Sequence, residues 1–270
     1  MPELPEVETT VRGLAKVLEG RRIAAVEVRR PDLRRALPDD LGQRLTGARV
    51  VALGRRAKYG RIDTDRGDSF IFHLGMSGHW RVDPAEIGKH DHFIITTDDG
   101  RRVALNDARR FGSIDLVSTQ EIDSWPAFAA LGPEPFDLEA GDLKRRLGGR
   151  KAAIKLLLLD QRIVAGLGNI YVCEALFRAR INPKRAGGSV SLARLELLVP
   201  AVKEVLAEAI EAGGSTLRDF ASPEGELGYF SKRFDVYGRE GKTCRGGCGG
   251  LVRRFVQGGR STFYCPRCQR

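Results

Sequence analysis

Four cysteines crowded into 25 residues constrain this chain more than any other feature: Cys244-x3-Cys248, sixteen residues, then Cys265-x2-Cys268. Two short Cys pairs on tight turns can present four thiolates to one tetrahedral ion, and that spacing is typical of a structural zinc site. Arg245-Gly246-Gly247 and Gly249-Gly250 supply the permissive backbone such turns need. Two disulfides would use the same cysteines, but they require an oxidising compartment. The opening MPELPEVETT has neither the basic n-region and apolar h-region of a secretory signal nor an Arg-rich transit composition, so a cytoplasmic location and zinc are expected. The fifth cysteine, Cys173, sits among Tyr171, Val172, Ala175 and Leu176 and is expected as a small buried hydrophobe on a helix.

Charge collects in the same place. The chain has 45 Lys and Arg against 35 Asp and Glu, a net +10. Residues 231–270 hold ten of the cations against only Asp235 and Glu240. A basic module of this kind suits a polyanion, nucleic acid before membrane, because no amphipathic basic helix with bulky anchors accompanies it. A solvated basic tail has the same composition. With 42% hydrophobic residues in 270 the chain can bury two modest cores. Its longest aliphatic run, Leu156 to Leu159, is far too short to span a bilayer.

Periodicity divides the rest. Val7, Val11, Leu14, Val17 and Leu18 recur at helical spacing before Gly20. Short β-type runs follow at 23–28, 48–53, 61–64, 70–74, 93–97, 103–106 and 113–117, with Asp98-Asp99-Gly100 as a hairpin signal. They predict a sandwich or barrel over residues 1–120. Trp125-Pro126 and Leu131-Gly132-Pro133-Glu134-Pro135 mark residues 121–150 as a linker. Helical patterns at 152–160, 169–179 and 191–212 make residues 151–230 a helical domain, with Pro200 predicting a kink or a late start in the last helix. Residues 231–270 are expected as a zinc-bound hairpin, its strands 251–256 and 261–264 joined by Gln257-Gly258-Gly259-Arg260.

Several segments carry candidate chemistry. Removal of Met1 would leave Pro2 as a free secondary amine beside Glu3 and near Glu6. An α-amine titrates near pH 8, so a useful fraction is nucleophilic at neutral pH. The helix dipole lowers that pKa and the two acids raise it, while Pro and acids in a first turn also serve ordinary helix initiation. Lys58 lies in the basic turn Arg55-Arg56-Ala57-Lys58-Tyr59-Gly60-Arg61, suited to phosphate or to solvent. In His73-Leu74-Gly75-Met76-Ser77-Gly78-His79 a loop could push Met76 outward, although a buried Met is commoner. Asp107-Ala108-Arg109-Arg110-Phe111-Gly112 pairs Arg with an aromatic, as a wedge entering a base stack would, or as a core Phe111 would. Ala165-Gly166-Leu167-Gly168-Asn169 lacks the third glycine and the preceding strand of a dinucleotide site. It fits better as a turn whose amides, with Asn169, grip a phosphate. Arg260 falls at the hairpin tip.

Together these segments resemble the formamidopyrimidine-DNA glycosylases along essentially the whole chain. The resemblance rests on PELPEVE at 2–8, RRAKY at 55–59, HLGMSG at 73–78, KHDH at 89–92, RRFG at 109–112, LGPEP at 131–135, GxGNIY at 166–171, GGSTL at 213–217 and the terminal cysteines with FYCPRCQ. It implies an α+β multidomain fold: an N-terminal β-sandwich with flanking helices, a helix-two-turn-helix domain, and the C-terminal zinc-bound β-hairpin. DNA would lie across the cleft between the domains, and the damaged base would leave the stack. The resemblance further implies that Pro2 attacks the sugar C1′ and that Glu3 is the general acid toward the ring, with Glu6 supporting the first turn. Lys58 would serve β-elimination and Arg260 δ-elimination. Met76, Arg109 and Phe111 would fill the vacated stack, Arg109 facing the estranged cytosine. His73, His90, Arg150 and Asn169 match further DNA contacts, residues 216–229 a loop closing over the flipped base, and Cys244, Cys248, Cys265 and Cys268 the ligands of one structural zinc. The partner implied is damaged double-stranded DNA, with no membrane, no obligate protein partner and a monomeric enzyme. Two departures stand out: three residues rather than two between Cys244 and Cys248, and Ala108 where the family usually has proline, which predicts a less rigid wedge loop. An endonuclease VIII-like glycosylase for oxidised pyrimidines, or a non-catalytic zinc DNA-binding protein, are the competing readings.

Overall fold

The computed structural model describes residues 2–215, 222–223, 225 and 228–270. The chain forms two compact units, residues 1–129 with 210–229 and residues 130–209 with 230–270.

The first unit begins with α1 (Leu4–Leu18), whose Val7, Val11, Leu14, Val17 and Leu18 are buried as the spacing predicts. After β1 (Ile23–Val28) and the short α2 (Leu41–Leu45) come β2 (Val50–Arg56), β3 (Tyr59–Thr64), β4 (Asp68–His73), β5 (His79–Val82), β6 (Asp91–Thr97), β7 (Arg102–Asn106) and β8 (Ser113–Ser118). They build two antiparallel four-stranded sheets, ordered β1-β6-β7-β5 and β2-β3-β4-β8. Residues of one face alternate along each strand, so the inner faces meet in an apolar layer. At its centre Phe70 of β4 stacks on Phe93 of β6, 5.1 Å between centroids, and meets Trp80 of β5 edge-on at 6.2 Å. A 3-10 turn (Thr119–Ser124) and α3 (Pro126–Ala129) then set Trp125 and Phe128 against Tyr59.

The strand β5 is absent from the sequence reading. His-Trp-Arg-Val offers only Trp80 as a strong apolar signal, and the strand lies at the edge of its sheet.

The second unit comprises α4 (Ala140–Leu147), α5 (Ile154–Leu159), α6 (Asn169–Arg178) and α7 (Leu192–Glu211), followed by the hairpin β9 (Arg253–Gln257) and β10 (Arg260–Tyr264). Residues 210–211 of α7 belong to the first unit. Pro200 does not delay α7, which begins at Leu192 and runs through it. Pro200 and Glu196 are both exposed, so the carbonyl four residues back, deprived of its amide partner, can be solvated. Leu195, Leu198, Val202, Val205 and Leu206 line the buried face. Cys173 is buried as expected, and with Phe177, Val236, Val252 and Phe263 it packs around the cysteine module.

Candidate active site

In the first unit the site is assembled at the start of α1. Pro2, Glu3 and Glu6 are all buried. Glu3 is the N-cap, and its amide donates to Glu6 Oε2 at 2.8 Å, the reach-back half of a capping box. The other oxygen of Glu6 accepts from the amide of Ser215, also at 2.8 Å. Glu6 therefore supports the first turn, as anticipated, and additionally holds a segment 209 residues away in sequence.

Two residues further along α1, Glu8 accepts from Arg55 Nε at 3.1 Å, and Arg55 donates through its Nη1 to the carbonyl of Ala57 at 2.9 Å. That carbonyl precedes Lys58 in the two-residue turn between β2 and β3, where Ala57 takes a left-handed φ of 53°. The relay ties α1 to the turn that carries Lys58. Lys58 is itself buried, and next to it Tyr59 pairs with His73 across β3 and β4, their rings 5.0 Å apart. Burial, reinforced by the charges of Lys58, Arg34 and Arg35, pushes the His73 imidazole down to about 4. It is neutral at physiological pH. Its Nδ1 accepts the amide of Gly75 at 3.0 Å, which leaves the proton on Nε2.

Met76 and Phe111 stand outward, 40% and 43% exposed, so neither is a core residue. Arg109 is exposed and lies over the Phe111 ring at 4.8 Å. With Arg34 and His73, Met76 and Phe111 line a cavity of about 380 Å³. His90 adjoins this loop pair, its carbonyl accepting from the amide of Asp107 at 3.0 Å. Gly75, at φ 62°, allows the two loops to meet, since a Cβ there would lie 2.3 Å from the carbonyl carbon of Phe111.

In the second unit Asn169 opens α6 and donates from Nδ2 to the carbonyl of Ser261 at 2.9 Å, beside Arg260. Asn169 Oδ1 is buried with no hydrogen-bond partner among the described residues. Arg260 is exposed at the first position of β10, where Gly258 and Gly259, φ 57° and 72°, make the two-residue hairpin turn. Arg150 is exposed and donates from Nε to the carbonyl of Arg146, apart from the Asn169 and Arg260 pair in its hydrogen bonding.

The four Sγ atoms of Cys244, Cys248, Cys265 and Cys268 lie within 4.8 Å of one another. Cys244 to Cys268 is 3.7 Å and Cys248 to Cys265 is 3.5 Å. A tetrahedron with metal–sulfur bonds of about 2.3 Å has edges of about 3.8 Å, so the set fits one structural zinc. The amides of Gly246 and Gly250 donate to Cys244 and Cys248 sulfurs at 3.3 and 3.4 Å, as outer contacts to thiolates do. The extra residue between Cys244 and Cys248 is accommodated.

Sequence reasoning missed three sets of contacts that organise these groups. Glu174 on α6 is buried and accepts the amides of Asp235, Val236 and Tyr237 at 2.8 to 3.0 Å. Burial pushes its carboxyl up while the three donors oppose the shift. The Glu8 to Arg55 bridge and the Asp107 to Ser77 contact were equally hidden. An acid inside an otherwise apolar helix is the one available signal, and it marks only Glu174.

Models of three domains match the chain: the formamidopyrimidine-DNA glycosylase N-terminal domain at residues 1–114, its H2TH domain at 131–221, and the zinc finger found in FPG and IleRS at 241–270. A formamidopyrimidine-DNA glycosylase of Novosphingobium aromaticivorans is 66% identical, each chain covered completely. The chain belongs to the formamidopyrimidine-DNA glycosylase family. Solved members superpose over their full length and that of this chain. A Lactococcus lactis Fpg in complex with abasic-site DNA gives a TM-score of 0.91 at 34% identity. A variant of the same enzyme with Fapy-dG-containing DNA gives 0.92 at 33%. As a family member the chain is a DNA glycosylase, and its α+β architecture with a cysteine-bound zinc finger is that of the family. Among the described residues no helix is long and apolar enough to cross a membrane. The loop expected over a flipped base, residues 216–229, lies outside the described residues except for Ser222, Pro223, Gly225, Gly228 and Tyr229.

Proposed function

We propose that this glycosylase excises oxidised purines, 8-oxoguanine and formamidopyrimidines, from duplex DNA and then cleaves the abasic strand. The observation that carries the reading is the buried start of α1, where Pro2 stands beside Glu3 and Glu6 is fixed by two amides. The L. lactis relatives seen with Fapy-dG and abasic-site DNA support the substrate class.

With Met1 removed, the Pro2 nitrogen attacks C1′, the C1′–base bond breaks, and the base departs with a proton. Glu3 protonates the opening sugar ring, leaving an iminium between Pro2 and C1′. The iminium acidifies C2′. Loss of a C2′ proton expels the 3′ phosphate, the β-elimination, and a second proton loss expels the 5′ phosphate, the δ-elimination. Lys58, buried beside His73, serves the first step and the exposed Arg260 the second. Met76, Arg109 and Phe111, all outward-facing, occupy the gap in the stack, with Arg109 toward the orphaned cytosine. His73, His90, Arg150 and Asn169 contact the DNA, and zinc holds the hairpin.

Borohydride trapping tests this on duplexes with 8-oxoguanine opposite cytosine, an oxidised pyrimidine, or an abasic site, with Pro2→Gly as control. A covalent adduct on the 8-oxoguanine duplex that weakens in the variant is expected. Trapping on the pyrimidine lesion alone would assign endonuclease VIII-like specificity. No adduct on any duplex, with an N-terminal mass showing Met1 absent, would overturn the lyase mechanism.

A further inference from the structure

The two loops that carry the outward residues are locked by one buried acid. Asp107 is fully buried, and each of its carboxylate oxygens is engaged. Oδ1 accepts from the Ser77 hydroxyl at 2.7 Å, reaching the loop of Met76. Oδ2 accepts from the amide of Gly112 at 2.7 Å, closing its own loop behind Phe111. The Ser77 hydroxyl in turn accepts from the amide of Arg109 at 3.3 Å. The backbone of Asp107 is used as well: its amide donates to His90, and its carbonyl is held by the Arg110 amide at 3.2 Å and the His92 Nε2 at 3.0 Å.

Met76, Arg109 and Phe111 thus hang from one hydrogen-bonded unit although 30 residues separate Ser77 from Asp107. Hydrogen bonds to an ionised acceptor are short and strong, and removing one partner leaves a buried polar atom unsatisfied.

We infer that the Asp107–Ser77 clamp is the positioning element that makes Met76, Arg109 and Phe111 a single rigid wedge, and thereby sets discrimination of the base opposite the lesion. The inference rests on the wedge reading proposed above. Reading a base edge requires a guanidinium held to within a fraction of an ångström, and two independently moving loops would not provide that.

The test uses the full-length zinc-loaded protein with Ser77→Ala, which removes one hydroxyl, and Asp107→Asn, which keeps the shape but replaces one acceptor oxygen by an amide NH2 where both partners donate. The readouts are kcat/KM for 8-oxoguanine opposite cytosine and opposite adenine, and borohydride trapping on a single-stranded abasic oligonucleotide, which has no opposite base. The expected result for Ser77→Ala is a roughly tenfold fall in the cytosine-to-adenine ratio, with trapping on the single strand unchanged. An unchanged ratio, or a parallel fall of ratio, trapping and melting temperature, would reduce the clamp to a structural contact and overturn the inference. Phe111→Ala run alongside separates the two levels. If it lowers the ratio and Ser77→Ala does not, the clamp alone fails; if it changes neither excision nor ratio, the wedge reading falls and the clamp's role with it.

Discussion

The sandwich core of the first unit and the small core around the zinc cysteines reach order by different routes. Among the described residues, the first joins twenty-one buried hydrophobic side chains, centred on Phe70, Phe72, Trp80 and Phe93. The second joins seven, two of them zinc ligands. Apolar burial contributes about 25 cal/mol per Å², so a cluster of seven side chains contributes little against the conformational entropy of a loop rich in glycine. The larger core can hold α1 by packing alone. The smaller one requires the metal to close it, and Glu174 fixes the segment that enters it.

That contrast can be broken or sharpened experimentally. Zinc removal should have the largest effect, because a structural site of this kind contributes on the order of 10 kcal/mol to the fold it closes. Chelation should expose the amides of residues 241–270 to hydrogen exchange and lower duplex affinity by about a hundredfold or more, while the sandwich amides stay protected. Protection that survives chelation would show the small core to be self-sufficient.

Next comes Phe70→Ala. Phe70 is 1% exposed and touches Phe72, Trp80 and Phe93, so its loss should cost about 3–5 kcal/mol in urea unfolding of the first unit. A cost under about 1 kcal/mol would contradict a closely packed core.

A third effect is set by pH. His73 is held down to about 4 in the fold, against about 6.5 in an unfolded chain. Between those values the unfolded state binds the extra proton, so stability is complete above about pH 6.5 and is lost as pH falls toward 4, by roughly 3 kcal/mol at most. Denaturant midpoints across that window should fall with acid in the native protein and fall less in His73→Gln. Identical slopes would remove His73 as the cause.

The smallest effect belongs to Val256→Thr on β9. Val256 is 67% exposed, and the change should stay within about 0.5 kcal/mol. A larger thermal shift would mean that the hairpin depends on that face.

The same contrast governs what the sequence disclosed. Cys244, Cys248, Cys265 and Cys268 were legible because metal geometry imposes a spacing on neighbours in the chain. The buried stripe of α1 was legible because a helix repeats its burial every turn, whereas β1 and β6 were legible only as short runs of β-type residues. Met76 and Phe111 could be named as wedge candidates, yet only the fold decided that both face outward. The Asp107–Ser77 and Glu6–Ser215 bonds join residues 30 and 209 positions apart, and no local pattern encodes such a partnership. Trp80 was overlooked as a strand residue because β5 is too short to show a period.

The hydrogen bond from Ser215 to Glu6 also bears on synthesis. The first unit is discontinuous, since residues 210–229 complete what residues 1–129 begin. A ribosome that has delivered both sheets has therefore not yet delivered the amide that engages one oxygen of the Glu6 carboxylate. The nascent glycosylase carries an incompletely bonded first turn of α1 until about a hundred further residues have emerged, so a chain truncated after its sheets would lack a contact at the helix that bears the proposed nucleophile.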